Sequence, residues 1–245
     1  MKLRTFFKSA TAAAAFAAIL LAAMSNTTPR VKATGDGDDD SSDSRIQRGF
    51  DIAPVHLNLD GKNRALVGLG SYIVNATVPC NECHGAGPAV NQFLPGDNPY
   101  FGQTAVINPA TYLGGGRNFG APVPGSAVII SRNLTPDKTG LPEGGRTFGE
   151  FVQIMRTGVD LDHLHPTCAT GPSGPIVNTG CIPAPFNGDL LQTMPWPGLR
   201  NLTDHDLRAI YEYLSAIPCV AGPANPSDLP PALQYAFPVL HNDCF

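Results

Sequence analysis

The residues of this 245-residue chain best suited to chemistry are Cys80-Asn81-Glu82-Cys83-His84. Cys-x-x-Cys-His is the spacing at which two thiols add across the vinyl groups of one haem while the next residue sets its imidazole beneath the iron. Two other chemistries use a Cys-x-x-Cys pair. A thioredoxin-like redox pair sits at a strand-to-helix junction and gains nothing from a following histidine, and a zinc site needs a second pair of ligands at suitable spacing. Neither companion is present, so the motif reads as the attachment site of one covalent haem c, with His84 as an iron ligand.

An iron held by His84 needs a sixth ligand or an open position, and that choice separates an electron carrier from a haem enzyme or sensor. Of the four methionines, Met1 and Met24 lie in the leader described below, which leaves Met155 and Met194. Met155 falls on an apolar helical face with Phe151 and Val152 and reads as a core thioether. Met194 lies in Thr193-Met194-Pro195-Trp196-Pro197, where two prolines stiffen the loop and hold a thioether in one place. Met194 is therefore taken as the distal ligand. His163 and His165 flank Leu164 and are the candidates for a bis-histidine iron, but without a carboxylate companion they read as solvent-facing or structurally bonded, as do His56, His205 and His241.

Three helices are legible around these residues. The first spans about 62 to 78, with Asp60 or Asn63 as N-cap and Leu66, Leu69 and Ile73 as its apolar stripe, and it leads into the Cys80 motif. The second opens at Thr147 with Glu150 completing a capping box, and stops at Gly158. The third opens at Thr203 with Asp206 in the equivalent position, shows Leu207, Ile210, Tyr211 and Leu214 at helical spacing, and ends before Pro218. Glycine and proline number 26 and 24, which predicts long irregular segments over 88–146 and 166–193, with a short hairpin near Val128 to Ser131. No internal repeat is present.

The opening segment has the form of a secretory signal: Lys2, Arg4 and Lys8, then an apolar run from Ala10 to Ala23, with cleavage after Ser25 or after Ala33. The run is too short to cross a bilayer, which takes roughly 20 apolar residues, and no second candidate follows, so no membrane span is expected once the leader is removed. Removal of residues 1–25 takes away three positive charges, Lys2, Arg4 and Lys8, and moves the formal net charge from −4 to −7. That balance argues against nucleic acid as a partner. Residues 26–45 include Gly35-Asp36-Gly37-Asp38-Asp39-Asp40-Ser41-Ser42-Asp43, which has nothing apolar to bury and reads as a disordered acidic linker; its spacing does not follow an EF-hand loop. Export places the remaining cysteines, Cys168, Cys181, Cys219 and Cys244, in an oxidising compartment, periplasmic or secreted.

Four landmarks, in order, resemble a family. They are Ala65-Leu66-Val67-Gly68-Leu69-Gly70-Ser71-Tyr72-Ile73-Val74 before the Cys motif, Asn133-Leu134-Thr135-Pro136-Asp137 with Thr139-Gly140, Met155-Arg156-Thr157-Gly158, and Met194-Pro195-Trp196-Pro197 with Leu202-Thr203-Asp204. They look like class I c-type cytochromes, and within them the single-haem domains of the cytochrome subunits of membrane-bound alcohol and aldehyde dehydrogenases, over about Ile46 to Ile217.

The resemblance implies an all-α class I cytochrome c fold, with Cys80 and Cys83 as thioether links, His84 and Met194 on opposite sides of the iron, and Gly70 letting the third helix approach through Tyr211 or Tyr213. It implies an electron carrier rather than an enzyme, serving a dehydrogenase or a terminal oxidase. The chain departs from the pattern at 167–193, read as an insertion closed by Cys168–Cys181, with Cys219–Cys244 tying down an extension over 218–245; this pairing, one of three, is preferred on proximity in sequence. Residues 46–245 are then a single cytochrome domain. Pro88 is the candidate carbonyl for the second His84 nitrogen, and Trp196 and Asn133 or Arg132 for the haem propionates. The competing readings are a haem enzyme or sensor with an open or displaceable distal position, and a disulfide-stapled binding module without haem.

Overall fold

A computed structural model of the chain describes residues 37–168 and 180–245. The expected signal sequence, the start of the expected acidic linker and most of the Cys168–Cys181 loop lie outside the described residues. Residues 41–245 form one compact unit, and of residues 1–40, which cluster separately, only the start of a helix is described.

That helix, α1 (Gly37–Ile52), is the first departure from expectation, because residues 37–45 were expected to belong to a disordered linker. Farther along, Ile46, Gly49 and Phe50 give it something to pack against. A Cβ on Gly68 would lie 2.8 Å from the Ile46 side chain, and the Ser71 hydroxyl donates to the Gly49 carbonyl at 2.7 Å.

The helix expected over 62–78 is present in two parts. Helix α2 (Arg64–Tyr72) is capped by Asn63, whose side chain accepts the Leu66 N–H at 3.2 Å. It continues as one wide turn, Ile73–Thr77, closed by the Val78 N–H on the Ile73 carbonyl at 2.7 Å. Such a π-turn displaces the chain that follows, and α3 (Cys80–His84) begins three residues later.

Helices α4 (Phe148–Thr157) and α5 (Asp204–Leu214) match the sequence reading, each with its Thr-x-x-acid capping box closed in both directions. Gly158, at φ 71°, ends α4 in the left-handed conformation. Thr147→Ala removes one such box and is expected to cost about 1 kcal/mol, read as a fall of roughly 2–4 °C in the thermal midpoint; an unchanged midpoint would show that the box carries no stability.

The main core joins Val67, Leu69, Ile73 and Val74 to Leu207, Ile210, Tyr211 and Leu214 of α5 and to Phe151 and Met155 of α4. Helices α2 and α5 cross in close contact at Gly70, where a Cβ would overlap the Ala209 carbonyl and lie 2.7 Å from Tyr213 Cβ. Of the two tyrosines considered, Tyr213 is therefore the neighbour. Its hydroxyl, fully buried, meets the Tyr112 hydroxyl at 2.8 Å, and Asn75 bonds to both.

No strand forms among the described residues, and the expected hairpin is a single antiparallel bridge, Asn118 with Ile130, flanked by Phe119 N–H to Ile129 C=O at 2.9 Å. Both expected disulfides, Cys168–Cys181 and Cys219–Cys244, are present. The extension after α5 is held by more than its disulfide. Asn133, in the Asn-Leu-Thr-Pro-Asp landmark, donates from its side chain to Val220 and Leu240 carbonyls, and Asn242 donates to the Thr135 carbonyl at 2.8 Å.

Candidate functional site

Cys80, Cys83 and His84 line one side of a cleft of about 1050 Å³ that opens to solvent, and Met194 lines it with them. Ile129, Ile130, Leu164, Leu190, Leu191 and Leu199 supply much of its apolar wall. A second, smaller space also has Cys80, His84 and Met194 on its lining, together with Val74, Phe151 and Ile154. Two thiols, an imidazole and a thioether thus share an apolar recess. Both thiols are free, Cys80 half-buried and Cys83 exposed, and burial together with the Cys83 thiol pushes the Cys80 thiol up to about 12.

His84 is fixed by one hydrogen bond. Its Nδ1 donates to the Arg132 carbonyl at 2.9 Å, so Pro88, the acceptor expected from spacing, does not fill that role. Spacing along the chain favoured a near neighbour, whereas the fold brings back a residue 48 positions away. Burial lowers the His84 pKa to about 4 against the opposing pull of that bond, so the ring is neutral at pH 7 and Nε2 carries the lone pair. A neutral imidazole oriented through its second nitrogen is what a metal-bound histidine needs.

Arg132 in turn is buried in a charge cluster. Its guanidinium pairs with Asp160 and Asp162 and lies 3.8 Å from Glu143, while Asp162 also pairs with Arg146. Burial works against ionisation of Asp162, but Arg132 and Arg146 hold its carboxyl below the usual range; in Glu143 burial prevails and the carboxyl is raised. Nothing in the sequence marked this cluster, because its members come from three separate segments.

Met194 is held by its loop, as expected, and by a contact that was not. Its N–H donates to the Gln192 carbonyl at 2.8 Å, and Thr193 is in the left-handed region at φ 69°. The Trp196 indole lies against the C-terminal glycine of α4, where a Cβ on Gly158 would come within 2.6 Å of Nε1, and its N–H donates to the Leu191 carbonyl at 3.2 Å. Arg156 fastens the next turn, donating to the Leu202 carbonyl and to Asp204, each at 2.6 Å.

Trp196, Asn133 and Arg132, the candidates for propionate contacts, therefore all have polar partners within the protein. Met155 is core, as read, and it also lines the smaller space beside Met194. The His163/His165 pair splits: His163 is exposed, whereas His165 is buried on the larger cleft with Nε2 on the Val128 carbonyl at 2.9 Å and its ring edge-on to Tyr235. His56 and His205 are exposed, and His241 bonds the Pro223 carbonyl.

The chain is 27% identical over 183 residues to the gluconate 2-dehydrogenase cytochrome c subunit of Pantoea cypripedii. It is similar to a known cytochrome subunit. The alignment takes in 74% of this chain and 30% of that protein, so the chain spans less than a third of its relative's length. No protein-family model matches the chain, and no solved structure does.

The residues present fit a haem. The recess is apolar, its two free thiols belong to the attachment motif, and the imidazole is neutral with Nε2 unbonded. No group of three or more His, Cys, Asp or Glu among the described residues forms a metal site of its own; two axial residues suffice when a porphyrin supplies the other four donors. No described helix is long and apolar enough to cross a membrane.

Proposed function

We propose that this chain is a periplasmic single-haem c-type cytochrome that transfers electrons as a partner or subunit of a dehydrogenase, not itself a catalyst. The observation that carries the reading is the convergence of Cys80, Cys83, His84 and Met194 on one apolar recess. The similarity to a dehydrogenase cytochrome subunit supports the assignment to such a complex. The leader of residues 1–25 would deliver the chain to the periplasm, where residues 46–245 act as the cytochrome domain.

In this reading Cys80 and Cys83 would hold the haem through their thiols, and His84 and Met194 would ligate its iron. The bound haem supplies a one-electron Fe(II)/Fe(III) couple. The chain's own residues set the conditions for it. The Arg132 carbonyl fixes the His84 ring and strengthens its donor character. The Met194 thioether favours the ferrous state more than a second imidazole would, and the leucine and isoleucine walls exclude water, which disfavours the charged form further.

The test is the absorption spectrum of the purified protein, made alongside a working haem-ligation system. The oxidised protein should show the weak red-end band of iron–methionine ligation, lost in Met194→Ala and kept in Met155→Ala. Met155 has to be included because it lines the same space. Loss of the band only in Met155→Ala would transfer the distal role to that residue, and a five-coordinate native iron would favour a haem enzyme or sensor instead. Pyridine haemochrome analysis showing no haem would remove the proposal altogether.

A further inference from the structure

Two arginines act on the His84 side of the recess, and only one of them is answered. The Arg132 guanidinium pairs with Asp160 and Asp162 and lies 3.8 Å from Glu143. Arg117 takes part in no ion pair among the described residues. Its Nε and Nη2 are shielded from solvent and meet no hydrogen-bond acceptor; with the Asn81 amide nitrogen they are the side-chain atoms left buried and unpartnered among the described residues. Nη2 lies against the Cys-x-x-Cys-His segment, where a Cβ on Gly85, the residue after His84, would be 3.7 Å from it.

The field of Arg117 reaches the imidazole. Burial is the main cause of the low His84 pKa, and the charges of Arg132 and Arg117 add to it. Glu82 lines an open cleft with Arg117, but it is exposed and enters no ion pair among the described residues, so water screens its charge. A guanidinium shielded by protein acts through a lower effective dielectric than one in water, and leaving its donors unmet costs stability. The position therefore keeps a positive charge where stability alone would favour an apolar side chain.

We propose that Arg117 raises the reduction potential of the haem by holding an unanswered positive charge beside His84. The inference rests on the cytochrome reading and assigns a residue that tunes it. Oxidised haem carries one more positive charge than reduced haem, so a nearby cation favours the reduced state. Arg132 contributes little net charge, because its carboxylates match it. The chain as a whole is negative, with a formal charge of −4, and that wider field favours the oxidised state; Arg117 opposes it at close range and makes the haem a better acceptor of electrons.

The experiment is a redox titration of the holoprotein, followed in the haem absorption, for native protein, Arg117→Met, Arg117→Gln and Arg117→Lys. All four should share one haem spectrum. The Met and Gln variants should both have a lower potential, by a shift of about tenfold in the oxidised-to-reduced ratio at fixed ambient potential, which is about 59 mV for a one-electron couple. Lys should restore most of the native value. Met, being apolar and long, keeps the test open if Gln disturbs the fold. The difference between native protein and Arg117→Met should persist at high ionic strength, because a shielded charge escapes screening, and Glu82→Gln should shift the potential far less. A native potential in both uncharged variants, a loss as large in Arg117→Lys, an equal shift from Glu82→Gln, or a difference erased by salt would overturn the role of Arg117 and leave the haem assignment standing. So would a difference that changes with pH across the carboxylate range near about 4, since a haem carboxylate would then be answering the guanidinium. Loss of the haem spectrum in the native protein would overturn the assignment itself.

Discussion

Arg132→Met is expected to destabilise the protein by about 3–5 kcal/mol, the usual result of removing one partner from a buried ion pair. Asp160 and Glu143, which are buried, and the partly exposed Asp162 would then be left with only Arg146 to answer them. Against a total stability of about 5–15 kcal/mol for a domain, the loss should be plain in chemical denaturation, and a change below about 1 kcal/mol would show that the cluster is solvated rather than buried. Arg132→Lys should rescue little, because an ammonium cannot bridge two carboxylates as the planar fork does.

The sign of the pH dependence distinguishes this account from simple loss of packing. In the native protein Asp162 is held below the usual carboxylate range, so its contribution is complete above that range and is lost as pH falls through its lowered value. In Arg132→Met the Glu143 carboxyl, already raised by burial, loses the Arg132 charge that opposes the rise, which makes its protonation stabilising. From neutral pH down to about 4, the ordinary carboxylate value, the variant should gain stability. A variant that loses stability over that interval would refute the charge argument. The substituted position also supplies the carbonyl that holds His84, so the orientation of that ring depends on a backbone segment that the charge cluster keeps in place.

Gly70→Ala carries the second large effect, and two opposing contributions decide it. Alanine is favoured over glycine within a helix by about 1 kcal/mol. At Gly70, however, the new Cβ would lie 2.5 Å from the Ala209 carbonyl carbon and 2.7 Å from Tyr213 Cβ. Neither is a flexible chain end, so α2 and α5 must separate. Overpacking of this kind costs about 3 kcal/mol or more where backbone has to move, and the net loss should be at least about 2 kcal/mol. Gly149→Ala is the matched control. That glycine lies in α4 with nothing within 4 Å of a Cβ, so the same substitution should stabilise by about 0.5–1 kcal/mol. Similar effects at the two sites would mean that the crossing is not tight.

Much of this was local enough to read from residue order. The caps of α4 and α5 need only a threonine and an acid three positions on, and the Cys-x-x-Cys-His motif spans five consecutive residues, so neighbours in sequence are neighbours in space. The acidic run over 37–45 read as a solvated tether, and the contacts of α1 with α2 are made farther along, by Ile46, Gly49 and Phe50. Pro88 was the wrong carbonyl because nearness in sequence was used where only folding brings Arg132 beside His84.

By itself, then, the order of residues determined the Cys-x-x-Cys-His spacing, the three main helices with their caps, the two disulfides and the core placement of Met155, all of which depend on short-range spacing or on pairing the nearest cysteines. The tertiary structure alone decided what holds His84, how Trp196 and Gly158 secure the Met194 loop, where the buried Arg132 cluster lies, and that Arg117 lies unpaired beside the Cys-x-x-Cys-His segment. Those arrangements join segments tens of residues apart, and their energies come from burial and charge compensation, which exist only once the chain has closed on itself.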